Sequence, residues 1–155
     1  MSRLATRGFT LLETLVVIVL LGVLLGMATL VAGPSTGRQA RDQATGLLQV
    51  LHAAREAAVL DGREYGLLFR HDSYRLLRLQ PDGWQPVAPL RSAGSLRWTL
   101  AQGGLPVALG PEQDVPQVWL LTSDEYSPFE LQLEADGKPL VAIIGDGLNE
   151  PAWHE

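Results

Sequence analysis

From Thr14 to Gly37 the chain has 24 consecutive residues without a charge, and Leu15 to Val31 is almost wholly Leu, Val, Ile, Gly, Ala and Met. A helix needs roughly 20 apolar residues to cross the hydrocarbon core of a bilayer. A membrane span is therefore predicted here, and Arg3 and Arg7 ahead of it keep the N-terminus cytoplasmic and send the rest outward. An ordinary secretory signal has a shorter apolar core followed by small residues of A-x-A type, of which Gly33, Pro34 and Ser35 make a poor version. The front of the run is more unusual: Gly8-Phe9-Thr10-Leu11-Leu12-Glu13 sets a carboxylate into its edge, where a charge is costly unless paired. A plain signal anchor, with Glu13 snorkelling toward the headgroups, is one reading of these residues.

The ordered set of a short basic leader ending in Gly8, then Phe9, then Glu13 five residues into the chain that follows, then a long apolar helix, resembles the type IV pilins and the pseudopilins of type II secretion. The resemblance implies cleavage by a prepilin peptidase between Gly8 and Phe9 and N-methylation of Phe9. It implies also that Glu13 pairs with the terminal amine of a neighbouring Phe9 during filament assembly. An intermolecular partner is a physical reason to place a carboxylate there, because an unpaired one is costly to bury.

Past the apolar run, Pro34 predicts a kink or local break. Ala40, Ala44, Leu47, Leu48, Leu51, Ala54 and Ala58 then recur at three- and four-residue steps, while Arg41, Asp42, Gln49, Arg55 and Glu56 fall elsewhere. This is the pattern of an amphipathic helix with one face for a sheet, and Asp61-Gly62 supplies its stop. Phe9 to about Asp61 would make a helix on the order of 80 Å long at 1.5 Å per residue.

After Gly62 short strands alternate with turn residues. Strands are predicted over 64–69, 74–79, 84–87, 96–100, 118–121, 129–133 and 140–144, with Asp136-Gly137 closing a hairpin. The Gly- and Pro-rich stretch 101–116 reads as a long exposed loop. A length of 155 residues suits one modest domain plus an anchor. The expected fold is therefore α+β and type IV pilin-like: a leader over 1–8, a transmembrane and filament-core helix over 9–33, an amphipathic helix over 34–62 and an antiparallel β-rich head over 63–155. Whether the head has one sheet or two stays open.

The formal charge is -5, from 12 basic and 17 acidic residues; without Arg3 and Arg7 the balance is 10 against 17, or -7. A polyanionic partner such as nucleic acid is disfavoured. The absence of cysteine excludes disulfides and thiolate chemistry. His52, His71 and His154 are isolated in sequence, with no paired spacing for a metal. His52 is expected on the helix surface or at the head interface, and the other two in solvent. Asp124, Glu125, Asp136 and Asp146 are oxygen ligands of a kind that suits calcium, but they lack EF-hand spacing and read as loop charges. Gly145-Asp146-Gly147 is a turn outside any phosphate-loop pattern, and nothing resembles a nucleophile elbow. Trp84, Trp98, Trp119 and Trp153 read as core or subunit-interface groups. No enzyme activity, cofactor, metal or small-molecule substrate is expected.

Short head segments narrow the branch. Residues 57–64, Ser73-Tyr74-Arg75-Leu76, Trp84-Gln85-Pro86 and residues 125–131 are similar to the H-type minor pseudopilins of type II secretion. That resemblance implies a structural subunit in the Gram-negative inner membrane with its head in the periplasm. Its partners would be the prepilin peptidase, the major pseudopilin and the I-, J- and K-type minor pseudopilins. Subunits at the filament tip commonly lack the glutamate, so Glu13 implies a place below the tip. The alternative is a minor pilin of a type IV pilus acting in DNA uptake, whose head should present a basic patch; the arginines here, Arg63, Arg70, Arg75, Arg78, Arg91 and Arg97, are scattered over strands.

Overall fold

Burial organises the first ordered element of the head. In a computed structural model, which describes residues 15–19 and 35–154, helix α1 spans Thr36–Asp61. No acidic residue sits in its first turn and no basic residue in its last, so its ends gain nothing from the macrodipole. Its stability comes from a stripe of buried side chains, Ala40, Ala44, Leu47, Leu51, Ala54 and Ala58. Gly62, with φ of 61°, ends it as the sequence predicts. Residues 15–19 are helical and exposed. Among the described residues no helix is long and apolar enough to cross a membrane. The predicted leader, most of the predicted span and Pro34 lie outside the described residues.

Ten strands follow: β1 (Tyr65–Arg70), β2 (Ser73–Gln80), β3 (Gly83–Pro86), β4 (Arg91–Ser92), β5 (Arg97–Gln102), β6 (Leu105–Val107), β7 (Val118–Leu120), β8 (Phe129–Ala135), β9 (Lys138–Gly145) and β10 (Ala152–His154). They form two antiparallel sheets. One has the order β3-β2-β1-β7, with β4 also paired to β2; the other runs β10-β9-β8-β5-β6. The number of sheets, left open by the sequence, is therefore two.

The hairpin at Asp136-Gly137 forms as predicted, with φ of 50° and 73° at its two turn residues, the conformation of a two-residue type I′ turn. The stretch 101–116 is not one exposed loop. Gly103 and Gly104 both take positive φ, 58° and 77°, and so turn β5 back into β6, with Gln102 opposite Leu105. Farther along, Leu109 and Pro116 are buried. Two adjacent glycines were the hairpin signal in that stretch.

Helix α1 packs on β1 and β7 of the first sheet and on β8, β9 and β10 of the second. The sheets meet through three aromatic rings. Trp98 of β5 lies 5.9 Å from Phe69 and 6.0 Å from Tyr74, both edge-on, and Phe69 and Tyr74 are 5.8 Å apart. Such tilted arrangements suit the ring quadrupoles. All residues of this core lie between Ala40 and Ile143, so the head has its own hydrophobic centre.

Candidate functional site

The residues on which the assembly reading rests, Gly8, Phe9 and Glu13, lie outside the described residues. Within the head, two constellations stand out.

The first is built on Arg55. Its place on the helix, four residues after Leu51 and three before Ala58, puts it on the apolar stripe rather than on the polar face expected from its charge. It is 8% exposed, which corrects that expectation. All three guanidinium nitrogens have acceptors, as burial of a charge requires. Its Nε–H donates to Asp124 Oδ1 at 3.1 Å, and Nη2 donates to the carbonyls of Asp124 at 2.8 Å and Leu148 at 3.2 Å. Nη1 donates to the Asn149 carbonyl at 3.4 Å, and Cζ lies 4.9 Å from the centre of the Tyr126 ring, within the range of a cation–π contact. Tyr126 Oη–H donates to the same Asn149 carbonyl at 2.6 Å. Burial, as the largest cause, raises the Tyr126 pKa. One helix residue thereby ties two separate loops, around Asp124 and around Asn149, to α1.

The second loop is shaped by Asp146. Its Oδ1 accepts the backbone N–H groups of Leu148 at 2.9 Å and Asn149 at 2.8 Å, and its Oδ2 accepts from Asn149 Nδ2 at 2.6 Å. The Asn149 side-chain bond, followed by the two backbone bonds, lowers the carboxyl pKa to about 2, because each donor favours the charged form. Asp124 and Asp146 are thus committed to protein partners. Among the described residues no group of three His, Asp or Glu side chains is placed to hold a metal. His52 lies on the exposed helix surface, with Nδ1 3.5 Å from Glu150 Oε1, and His71 and His154 are exposed as predicted. Beside Arg55, Val59, Leu60 and Leu148 form an exposed apolar edge.

The second constellation is the outer face of the first sheet. Gly66 pairs with Leu77 on one side and Trp119 on the other. Over it Trp84 and Trp119 pack edge to face, with centroids 5.2 Å apart, and Trp119 Nε1–H donates to the Pro116 carbonyl at 2.8 Å. A side chain at Gly66 would run into the Pro116 ring. Of the four tryptophans, Trp98 is buried, while Trp84, Trp119 and Trp153 are half-buried. Sequence reasoning did not single out Arg70 and Arg75 beside this cluster as a pair; their shared face follows only from the β1–β2 register.

The family described as the prokaryotic N-terminal methylation motif matches residues 3–29. The chain is 36% identical, over 95% of its own length and 95% of the relative's, to the type II secretion system protein H of Pseudomonas aeruginosa. In fold it is similar to the minor pseudopilin EpsH from the type II secretion system of Vibrio cholerae, with a TM-score of 0.62 and 23% identity over 71% of this chain and 89% of that one. It is likewise similar to the solution structure of Escherichia coli GspH, with a TM-score of 0.65 and 20% identity over 76% of this chain and 89% of that one.

Proposed function

The chain belongs to the type II secretion system protein H family, the H-type minor pseudopilins, and from that membership we propose that it is a non-catalytic subunit of the periplasmic filament that exports folded proteins across the outer membrane. The observation that carries this reading is end-to-end similarity, 36% over 95% of both chains, in a sequence that also holds Gly8, Phe9 and Glu13 in order.

In this reading residues 1–8 are removed by a prepilin peptidase and Phe9 is N-methylated. Residues 9–33 cross the inner membrane and later enter the filament core, residues 34–62 pack the head, and residues 63–155 are the periplasmic head. Glu13 pairs with the Phe9 amine of a neighbouring subunit, which makes docking directional, since leaving a carboxylate unpaired in an apolar core is costly. Retention of Glu13 supports a place below the tip, with the I-, J- and K-type minor pseudopilins and the major pseudopilin as partners. The Arg55 clamp fits a structural role, because it fastens the head loops to the helix that carries them into the filament.

The reading is tested in a deletion strain scored in parallel for secreted-enzyme export, twitching and transformation. Loss of export alone supports it. Lost motility or DNA uptake with normal export replaces it with the minor-pilin alternative.

A further inference from the structure

The outer face of the first sheet holds a cavity of about 350 Å³ whose lining includes Arg70, Arg75, Leu77, Trp84, Leu90 and Asp114. Strand register explains the grouping. Leu68 lies opposite Arg75 and Arg70 opposite Ser73, so the two arginines are diagonal neighbours on one face. Among the described residues neither side chain has a hydrogen-bond or ion-pair partner, and the Arg75 Nε atom is sealed from solvent without an acceptor. Asp114 is the one carboxylate in the lining, and it forms no ion pair with either arginine. The cavity therefore holds two guanidinium charges against one carboxylate.

An unpaired buried donor is destabilising, and the planar fork of arginine matches a carboxylate in two parallel hydrogen bonds. The walls add a second requirement. Trp84 is half-buried and Leu90 is 46% exposed, so an apolar group beside the carboxylate would cover both. Charge distinguishes one carboxylate from a polyanion. The chain as a whole carries -5, which repels a long run of phosphates while leaving a single side chain free to reach a local positive site.

We propose that this cavity is a docking site for another protein, which inserts a glutamate or aspartate flanked by an apolar side chain between Arg70 and Arg75. Asp114 is the internal competitor for the same two cations.

The test uses the full-length protein in neutral detergent micelles, with empty micelles as reference. Fluorescence anisotropy follows a labelled hexapeptide carrying one glutamate between two leucines, and its glutamine counterpart. The glutamate peptide is expected to bind about tenfold more tightly, the worth of one charge-assisted hydrogen bond. Arg70→Gln and Arg75→Gln each remove that preference, and Arg75→Lys, which keeps the charge but loses the fork, retains only part of it. Asp114→Asn raises affinity for the glutamate peptide about two- to fivefold by removing a nearby like charge. Thermal unfolding of each variant shows whether it folds; if Arg75→Gln does not, Arg70→Gln and Arg75→Lys decide the matter. Equal binding of the two peptides overturns the proposal, as does a preference that survives Arg70→Gln. Tighter binding of single-stranded DNA than of the glutamate peptide also overturns it, since the ligand chemistry is then phosphate.

Discussion

Arg55 shows how a single residue is held in a place that its charge disfavours. A guanidinium can be buried only if its donors are met, and here a carboxylate, three backbone carbonyls and a tyrosine ring meet them. Arg55→Met removes the charge and leaves those acceptors to find water. A loss of about 1–3 kcal/mol in unfolding free energy is expected from urea denaturation, and Arg55→Lys should recover only part of it, because one ammonium cannot span two loops. Asp146 supports a pH prediction. Its pKa in the folded protein is depressed to about 2, so its stabilising contribution is complete above the ordinary carboxylate value of about 4 and fades as pH falls from there through about 2. A carboxyl chemical-shift titration followed by NMR should place its midpoint well below that of a free aspartate, and Asn149→Ala should move it upward. A midpoint near 4 in the intact protein would show that the Asn149 loop is not held as described.

At the scale of elements, helix α1 and the sheet face behind Trp84 illustrate opposite demands on small residues. Along α1, Ala40, Ala44, Ala54 and Ala58 let the helix sit close to the sheets. On the first sheet, Gly66 leaves room for the Pro116 ring under the Trp84–Trp119 pair. Gly66→Ala forces that ring to move, and such overpacking costs about 1–3 kcal/mol, measurable as a lowered thermal midpoint together with a change in tryptophan fluorescence. Much of this level was legible in the sequence. The three- and four-residue steps located α1, and alternation between turn residues located β1, β2, β3, β5, β7, β8 and β9. The short strands β4, β6 and β10 were not located, because they depend on a neighbouring strand for their hydrogen bonds and lack the uninterrupted apolar run that marks the equally short β7, Val118–Leu120. Arg55 was misplaced because its chemical type was weighed above its position on the stripe. The Arg70–Arg75 pairing could not be read, since it depends on cross-strand register, which local pattern does not supply.

At the scale of the whole described unit, two antiparallel sheets share one core with α1, and the Arg55 clamp adds a polar tie between the helix and the loops. The N-terminal segment lies outside the described residues except for 15–19, and there the sequence itself was most informative: Gly8, Phe9 and Glu13 at the head of a membrane-length run. Mass spectrometry of the membrane-extracted protein should find a chain beginning at N-methylated Phe9, and an intact leader in cells with active prepilin peptidase would contradict the processing step. Cleavage becomes an assembly event only if Glu13 meets the amine that it exposes. The most direct measurement is the amount of secreted enzyme in the medium of a deletion strain carrying either the wild-type chain or Glu13→Leu at equal levels. The wild-type chain should restore export and Glu13→Leu should not, whereas full export with Glu13→Leu, or undiminished export in the deletion strain itself, would contradict a pseudopilus subunit assembled through that carboxylate.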